Sequence, residues 1–187
     1  MTVEFTLQPP SGAGVLPLAI LAVTGAALIV LAFATGRRAK SVRRTFVVML
    51  ILGVMLIGLG VGLSYSVGAP TTVTVGDGYL YIKSSSFWGT GNLNITSNQI
   101  RGAYVGEIGV GNLTISKQHG TNIDDFNVGV FTLGSGATAY IASDNSTSLV
   151  IQLLTGRYVI VGTDDTSLLV SAFSETVHPV QDRASQS

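Results

Sequence analysis

Few residues in this chain are of a type that could do chemistry, and their spacing assigns them no reaction. His119 precedes the adjacent carboxylates Asp124 and Asp125, and imidazole and carboxylate are donors a divalent cation accepts. One His and two neighbouring acids fall short of a usual ligand set, so they read more simply as solvated turn residues. His178, next to Pro179, reads as a helix-end residue. Ser, His and Asp all occur, but Gly-x-Ser-x-Gly does not, and no pair stands at motif spacing. Gly106-Glu107-Ile108-Gly109-Val110-Gly111 is glycine-rich yet has neither the lysine nor the strand-to-helix setting of a phosphate loop. Cysteine is absent, which removes disulfides, iron–sulfur ligation and thiol nucleophiles. The residues therefore predict a protein that is not an enzyme, with no catalytic residue, cofactor or metal.

Three Asn-x-Thr triplets offer modification chemistry instead. Asn94, Asn112 and Asn145 are candidate N-glycosylation acceptors, and all lie after residue 68. The motif is short, and about two would arise by chance in a region this rich in Asn, Ser and Thr.

Charge gives the plan of the chain. Only 11% of the 187 residues are charged, against about 25% in an average soluble protein. Five of the ten basic residues, Arg37, Arg38, Lys40, Arg43 and Arg44, fall within eight positions. Apolar runs flank them. Residues 15–35 and 46–67 each have the length of a transmembrane helix, about 20 residues for a hydrocarbon core of about 30 Å. Short loops rich in Lys and Arg stay cytoplasmic. The basic loop, 36–45, is thus the topology determinant, and the remaining segments are expected on the other side. These are an external N-terminal segment, 1–14, which lacks Lys and Arg and so does not resemble a cleaved leader, and everything after Gly68. The expected location is a cell membrane, crossed twice, with the C-terminal domain extracytoplasmic. Gly58 and Gly62 form a Gly-x-x-x-Gly pair, predicting close packing of the second helix on the first.

Beyond a short linker, 68–72, the periodicity changes from helical to alternating, and a folded domain is expected over 73–178. Val73-Thr74-Val75 and Tyr79-Leu80-Tyr81-Ile82-Lys83 flank the turn Gly76-Asp77-Gly78. Leu93 and Ile95 share one face of the next strand, and Ile100 opens a fourth. Residues 109–127 read as the longest irregular stretch, a candidate functional loop. Four short segments between 128 and 162, separated by Gly/Asn/Ser-rich connectors, read as successive antiparallel hairpins. Asp164 or Asp165 caps a closing helix with Leu168, Leu169, Ala172 and Phe173 on its apolar stripe. Residues 179–187 read as a disordered tail. This part carries nine acidic and five basic residues, which excludes a nucleic-acid footprint.

The order of parts resembles the bacterial and archaeal pleckstrin-homology-like domains that are fused to membrane helices. The matching pieces are 77–83, Phe87-Trp88-Gly89, Asn98-Gln99-Ile100-Arg101, 127–133, Ala139-Tyr140-Ile141, the hairpin 149–161 and the Asp164-Asp165 helix start. The resemblance implies a membrane-anchored, mainly β protein: a two-helix transmembrane hairpin, then a seven-stranded antiparallel β-barrel capped by a C-terminal helix. It also implies a binding and assembly module. Members that bind phosphoinositides use Lys and Arg in the first hairpin loop; here that loop is Gly76-Asp77-Gly78, so no ligand residue carries over. The expected partners are the lipid bilayer and a protein, either another component or a second copy. Alternatives are an accessory structural subunit of a respiratory or transport complex and a surface ligand-binding receptor using 109–127.

Overall fold

The computed structural model describes residues 2–36, 43–84 and 92–181. They form two compact units: Ser11–Gly68, and a second unit built from Met1–Pro10 together with Ala69–Ser187.

The first unit is a pair of helices, α1 (Val15–Gly36) and α2 (Arg43–Gly68). Both are long and apolar enough to cross a membrane. Their large apolar side chains stay exposed, Val23 at 70% and Met55 at 65%, and a helix apolar all round needs a protein core or lipid about it. Thr24 turns its hydroxyl inward, donating to the Ile20 carbonyl at 2.8 Å. Contacts run antiparallel: Phe33 meets Phe46 edge-to-face at 5.4 Å, Gly25 faces Gly53, and Gly14 faces Ser64. The helices encroach on the expected 36–45 loop. Arg37, Arg38 and Lys40 lie outside the described residues, and Arg43 and Arg44 are the first two residues of α2.

The second unit holds two sheets. The smaller is antiparallel, in the order β1 (Val3–Leu7), β2 (Thr71–Gly76), β3 (Tyr79–Ser84), β4 (Asn92–Thr96). β1 corrects the expectation for 1–14, because this segment is part of the folded domain. It pairs with β2 from Val3↔Val75 to Leu7↔Thr71. Val3, Phe5 and Leu7 alternate with Glu4 and Thr6, the period-two pattern of a half-buried strand, and Leu7 is fully buried. β2 also begins inside the expected 68–72 linker. The β2–β3 turn is Asp77-Gly78, with Gly78 at φ +81, a conformation glycine adopts without steric cost.

The larger sheet contains β5 (Ile100–Glu107), β6 (Ile115–Ile123), β7 (Phe126–Leu133), β8 (Thr138–Ser143), β9 (Thr147–Leu153), β10 (Tyr158–Gly162) and β11 (Val180–Gln181). Its order is β11-β5-β9-β10-β8-β7-β6. Three expectations change here. The centre of the supposed loop 109–127 is β6, an edge strand whose exposed Ser, Lys, Gln and His side chains hide its pattern, and β7 begins at its end. Val180–Gln181 pairs with β5 and belongs to the fold, while 182–187 lies outside the described residues. The sheet is mixed rather than antiparallel: β10 sits between β8 and β9, parallel to β8, and β11 is parallel to β5. Among the described residues there are thus eleven strands in two sheets, rather than seven in one antiparallel barrel.

Burial explains the mixed order. Ala139–Ala142, Leu149–Ile151 and Val159–Val161 are buried without alternation, as in strands covered on both faces. One face joins the small sheet and α3 (Thr166–Thr176) in the main core, with Phe5, Leu80, Ile82, Ile151 and Phe173. The other carries a second cluster around Phe131, Ile141, Val150 and Ile160, closed by Leu113. At Gly120 and Gly129, which face each other across β6 and β7, φ is +136 and +140. A Cβ on either would collide with the opposite backbone. Asp165 caps α3, its Oδ1 accepting from the Leu168 N–H at 3.2 Å. Leu168 itself is exposed, so the buried stripe is Leu169, Ala172 and Phe173.

Candidate functional site

The β8–β9 connection helps shape an open cleft of the sheet domain. Asp144-Asn145-Ser146 must step across the end of β10, because β8 and β9 are separated by that strand. Gly162 lies beneath the crossing, where a Cβ would collide with the Ser143 and Ser148 hydroxyls. Those hydroxyls sit 3.2 Å apart, and the Ser143 hydroxyl donates to the Asn145 carbonyl at 2.5 Å. Asn145 Nδ2 donates to the Thr163 carbonyl at 3.3 Å. The Thr166 hydroxyl donates to Thr163 and Thr147 carbonyls at 2.7 and 3.0 Å. Buried polar groups must find such partners, and here they clamp the connection.

The clamp presents Asp144 to an open cleft of about 530 Å³. Thr6, Gln8 and Pro10 line it from the N-terminal segment, Asp124, Asp125 and Phe126 from the β6–β7 tip, and Asp164 from the approach to α3. The tip is a two-residue turn between Ile123 and Phe126. Asp124 adopts φ +50 there, a left-handed conformation that Asp tolerates better than most residues. Asn127 Nδ2 donates to the Asp125 carbonyl at 3.1 Å, and Asn122 Nδ2 donates to Asn127 Oδ1 at 2.5 Å. Burial, and secondarily the charge of Asp164, push the Asp144 carboxyl up from 3.8 to about 6. The backbone N–H groups of Asp144 and Gln8 oppose that rise. Asp144 Oδ1 is enclosed without a hydrogen-bond partner among the described residues.

The acids expected as turn residues, Asp124 and Asp125, therefore do sit in a turn, and that turn forms one wall of the cleft. His119 is separate from it, on the exposed edge strand opposite Val130. No group of three His, Asp or Glu among the described residues is placed to hold a metal ion. The hairpin tip lines the cleft with Asp144 and Asp164, groups brought together only by the tertiary fold and without a local signal in 109–127.

The packing glycines require correction. Nothing lies within 4 Å of a Cβ built on Gly58 or Gly62, so neither makes the α1–α2 contact. Gly53 and Gly60 do. A Cβ on Gly53 would stand 2.7 Å from the Gly25 carbonyl, and one on Gly60 would stand 3.0 Å from Leu21 Cβ. Both residues lie on the second helix, Gly53 five positions before Gly58 and Gly60 midway between the two glycines of the motif, on another side of the helix.

The three candidate acceptor asparagines divide. Asn94, on β4, and Asn112, in the 3-10 turn Gly111–Leu113, are exposed, whereas Asn145 is partly buried in the clamp. Comparison with protein families, with characterised proteins and with solved structures finds no match to this chain.

Proposed function

We propose that this chain is a non-enzymatic integral membrane protein whose sheet domain, on the extracytoplasmic side, binds protein and helps assemble a membrane complex. The observation that carries the reading is the pairing of β1 with β2. The whole helical unit is an insertion between two neighbouring strands of one sheet. If both helices cross the bilayer, the two strands must lie on the same side, as the pairing requires. The five basic residues at 37–44 then favour the cytoplasm for the turn and the opposite side for the domain. From the pleckstrin-homology-like resemblance the proposal takes only the role of a binding and assembly module. An accessory structural subunit of a respiratory or transport complex is one form such a role could take.

The test is extraction of the full chain in mild detergent, with its mass and companions measured, alongside protease treatment of intact cells. Stable co-purification of a second protein or a second copy, and cleavage of the sheet domain from outside, support the proposal. A strictly monomeric protein without companions, or a domain protected on intact cells, refutes it. A surface receptor is the second reading, favoured by the acidic cleft, whose four aspartates suit a cationic group. Neutralising Asp124 and Asp125 would then abolish binding while leaving membrane insertion intact.

A further inference from the structure

The exposed asparagines assign a modification. We propose that Asn94 and Asn112 carry N-linked glycans and that Asn145 does not. The proposal rests on the outward orientation argued above, because the transfer machinery for this linkage faces the extracytoplasmic side.

The chemistry asks three things of an acceptor: an Asn-x-Thr or Asn-x-Ser triplet, an amide nitrogen free to react, and open solvent for a bulky polar chain. All three candidates meet the first. Asn94 lies on the exposed side of β4, between Leu93 and the buried Ile95. Asn112 is exposed in a tight turn whose own fastening does not involve its side chain. The Thr114 hydroxyl and the Thr114 N–H both donate to the Gly111 carbonyl, at 2.8 and 3.2 Å. Asn112 also borders an open cleft of about 240 Å³ with Tyr104, Gln152 and Tyr158. Its aromatic and amide walls suit the first sugar of an attached chain.

Asn145 fails the second and third requirements. Its Nδ2 donates to the Thr163 carbonyl, and its Oδ1 accepts from the Thr147 N–H at 3.2 Å. A glycan there would grow from the nitrogen that makes the first of these bonds and force a bulky chain into the crossing over Gly162.

The transfer needs a lipid-phosphate-linked sugar donor and a membrane transferase, both supplied by the host. The Asn amide nitrogen attacks the anomeric carbon, forming a C–N bond. The C–O bond to the lipid phosphate breaks, that phosphate leaves with the bonding pair, and the nitrogen gives up one proton. Nothing is oxidised or reduced.

The experiment is peptide mapping by mass spectrometry of the full chain, purified from membranes of a glycosylating host. A reporter Asn-x-Thr triplet on a flexible extension after Ser187 records orientation. Expected are glycans on the Asn94 peptide, the Asn112 peptide and the reporter, with the Asn145 peptide bare. Asn94→Gln and Asn112→Gln should each remove one glycan from the intact mass. A modified reporter beside a bare Asn94 or Asn112 overturns the assignment, as does a glycan on Asn145. A bare reporter together with bare asparagines overturns the outward orientation, and this inference with it.

Discussion

Replacing Asp144 by Asn should stabilise the sheet domain at neutral pH. Its carboxyl is raised from 3.8 to about 6, first by burial and then by Asp164. The folded state therefore holds this proton more tightly than the unfolded chain does. The stability contributed is present in full below about pH 4 and is lost as pH rises through about 6. Above that, an ionised Asp144 is a standing cost. At about 1.36 kcal/mol per unit the shift corresponds to about 3 kcal/mol. The side chain is only partly enclosed, and solvent screening brings this to about 1–2 kcal/mol. Asn keeps the size and removes the charge. The assay is thermal unfolding of the full chain in detergent, followed by the strand signal in circular dichroism from about pH 4 to pH 8. The wild type should lose stability across that range by several degrees more than Asp144→Asn, and the variant should melt higher at pH 8. Equal pH slopes, or a variant that melts lower at pH 8, would refute the argument that burial governs this group.

Three further outcomes follow from the packing. Gly53→Leu should destabilise the helical unit by about 1–3 kcal/mol through overpacking against Gly25 and Ile29, whereas Gly58→Leu, facing open space, should leave it unchanged; thermal aggregation in detergent separates the two. Leu7→Ala should cost about 2–5 kcal/mol, because the side chain is fully buried, and limited proteolysis should then release the N-terminal strand first. Asp165→Ala should cost about 1 kcal/mol through loss of the helix cap to Leu168, measured by denaturant unfolding, while Asp164→Ala should lack that cost.

Much of the fold was legible because local pattern and tertiary environment agree. The two apolar helices, the Asp77-Gly78 turn, the Leu93/Ile95 face and the Asp-capped closing helix all follow from periodicity and turn chemistry. β1 is readable too: Val3, Phe5 and Leu7 alternate cleanly, but five residues beside a long apolar run read as a short external segment, because the partner strand lies more than 60 positions away. β6 was harder, since an edge strand with a bulge between Lys117 and His119 keeps polar residues on both sides. The insertion of β10 between β8 and β9 leaves no local trace. Asp144-Asn145-Ser146 has the composition of a hairpin turn, and only the mutual burial of Ser143, Ser148 and Gly162 reveals a crossing. The cleft was hidden for the same reason, because its walls come from four separated segments. A Gly-x-x-x-Gly pair selects for spacing, whereas the interface selects for direction around the helix, which Gly53 and Gly60 satisfy.

The insertion of the helices between β1 and β2 also bears on how the chain reaches its final state. Leu7 pairs with Thr71 in the sheet, and Gly14 meets Ser64 in the helical pair. Seven positions separate the members of each side, Leu7 from Gly14 and Ser64 from Thr71. Before the helices associate, joining β1 to β2 closes a loop of 64 positions; afterwards, the path through the Gly14–Ser64 contact is about 14 positions, part of it the last turn of α2. On the logarithmic scaling of loop closure the difference is about 1 kcal/mol. Helix association thus lowers the barrier to completing the small sheet. A chain whose two helices fail to associate must close the longer loop before β1 can cover the edge of β2.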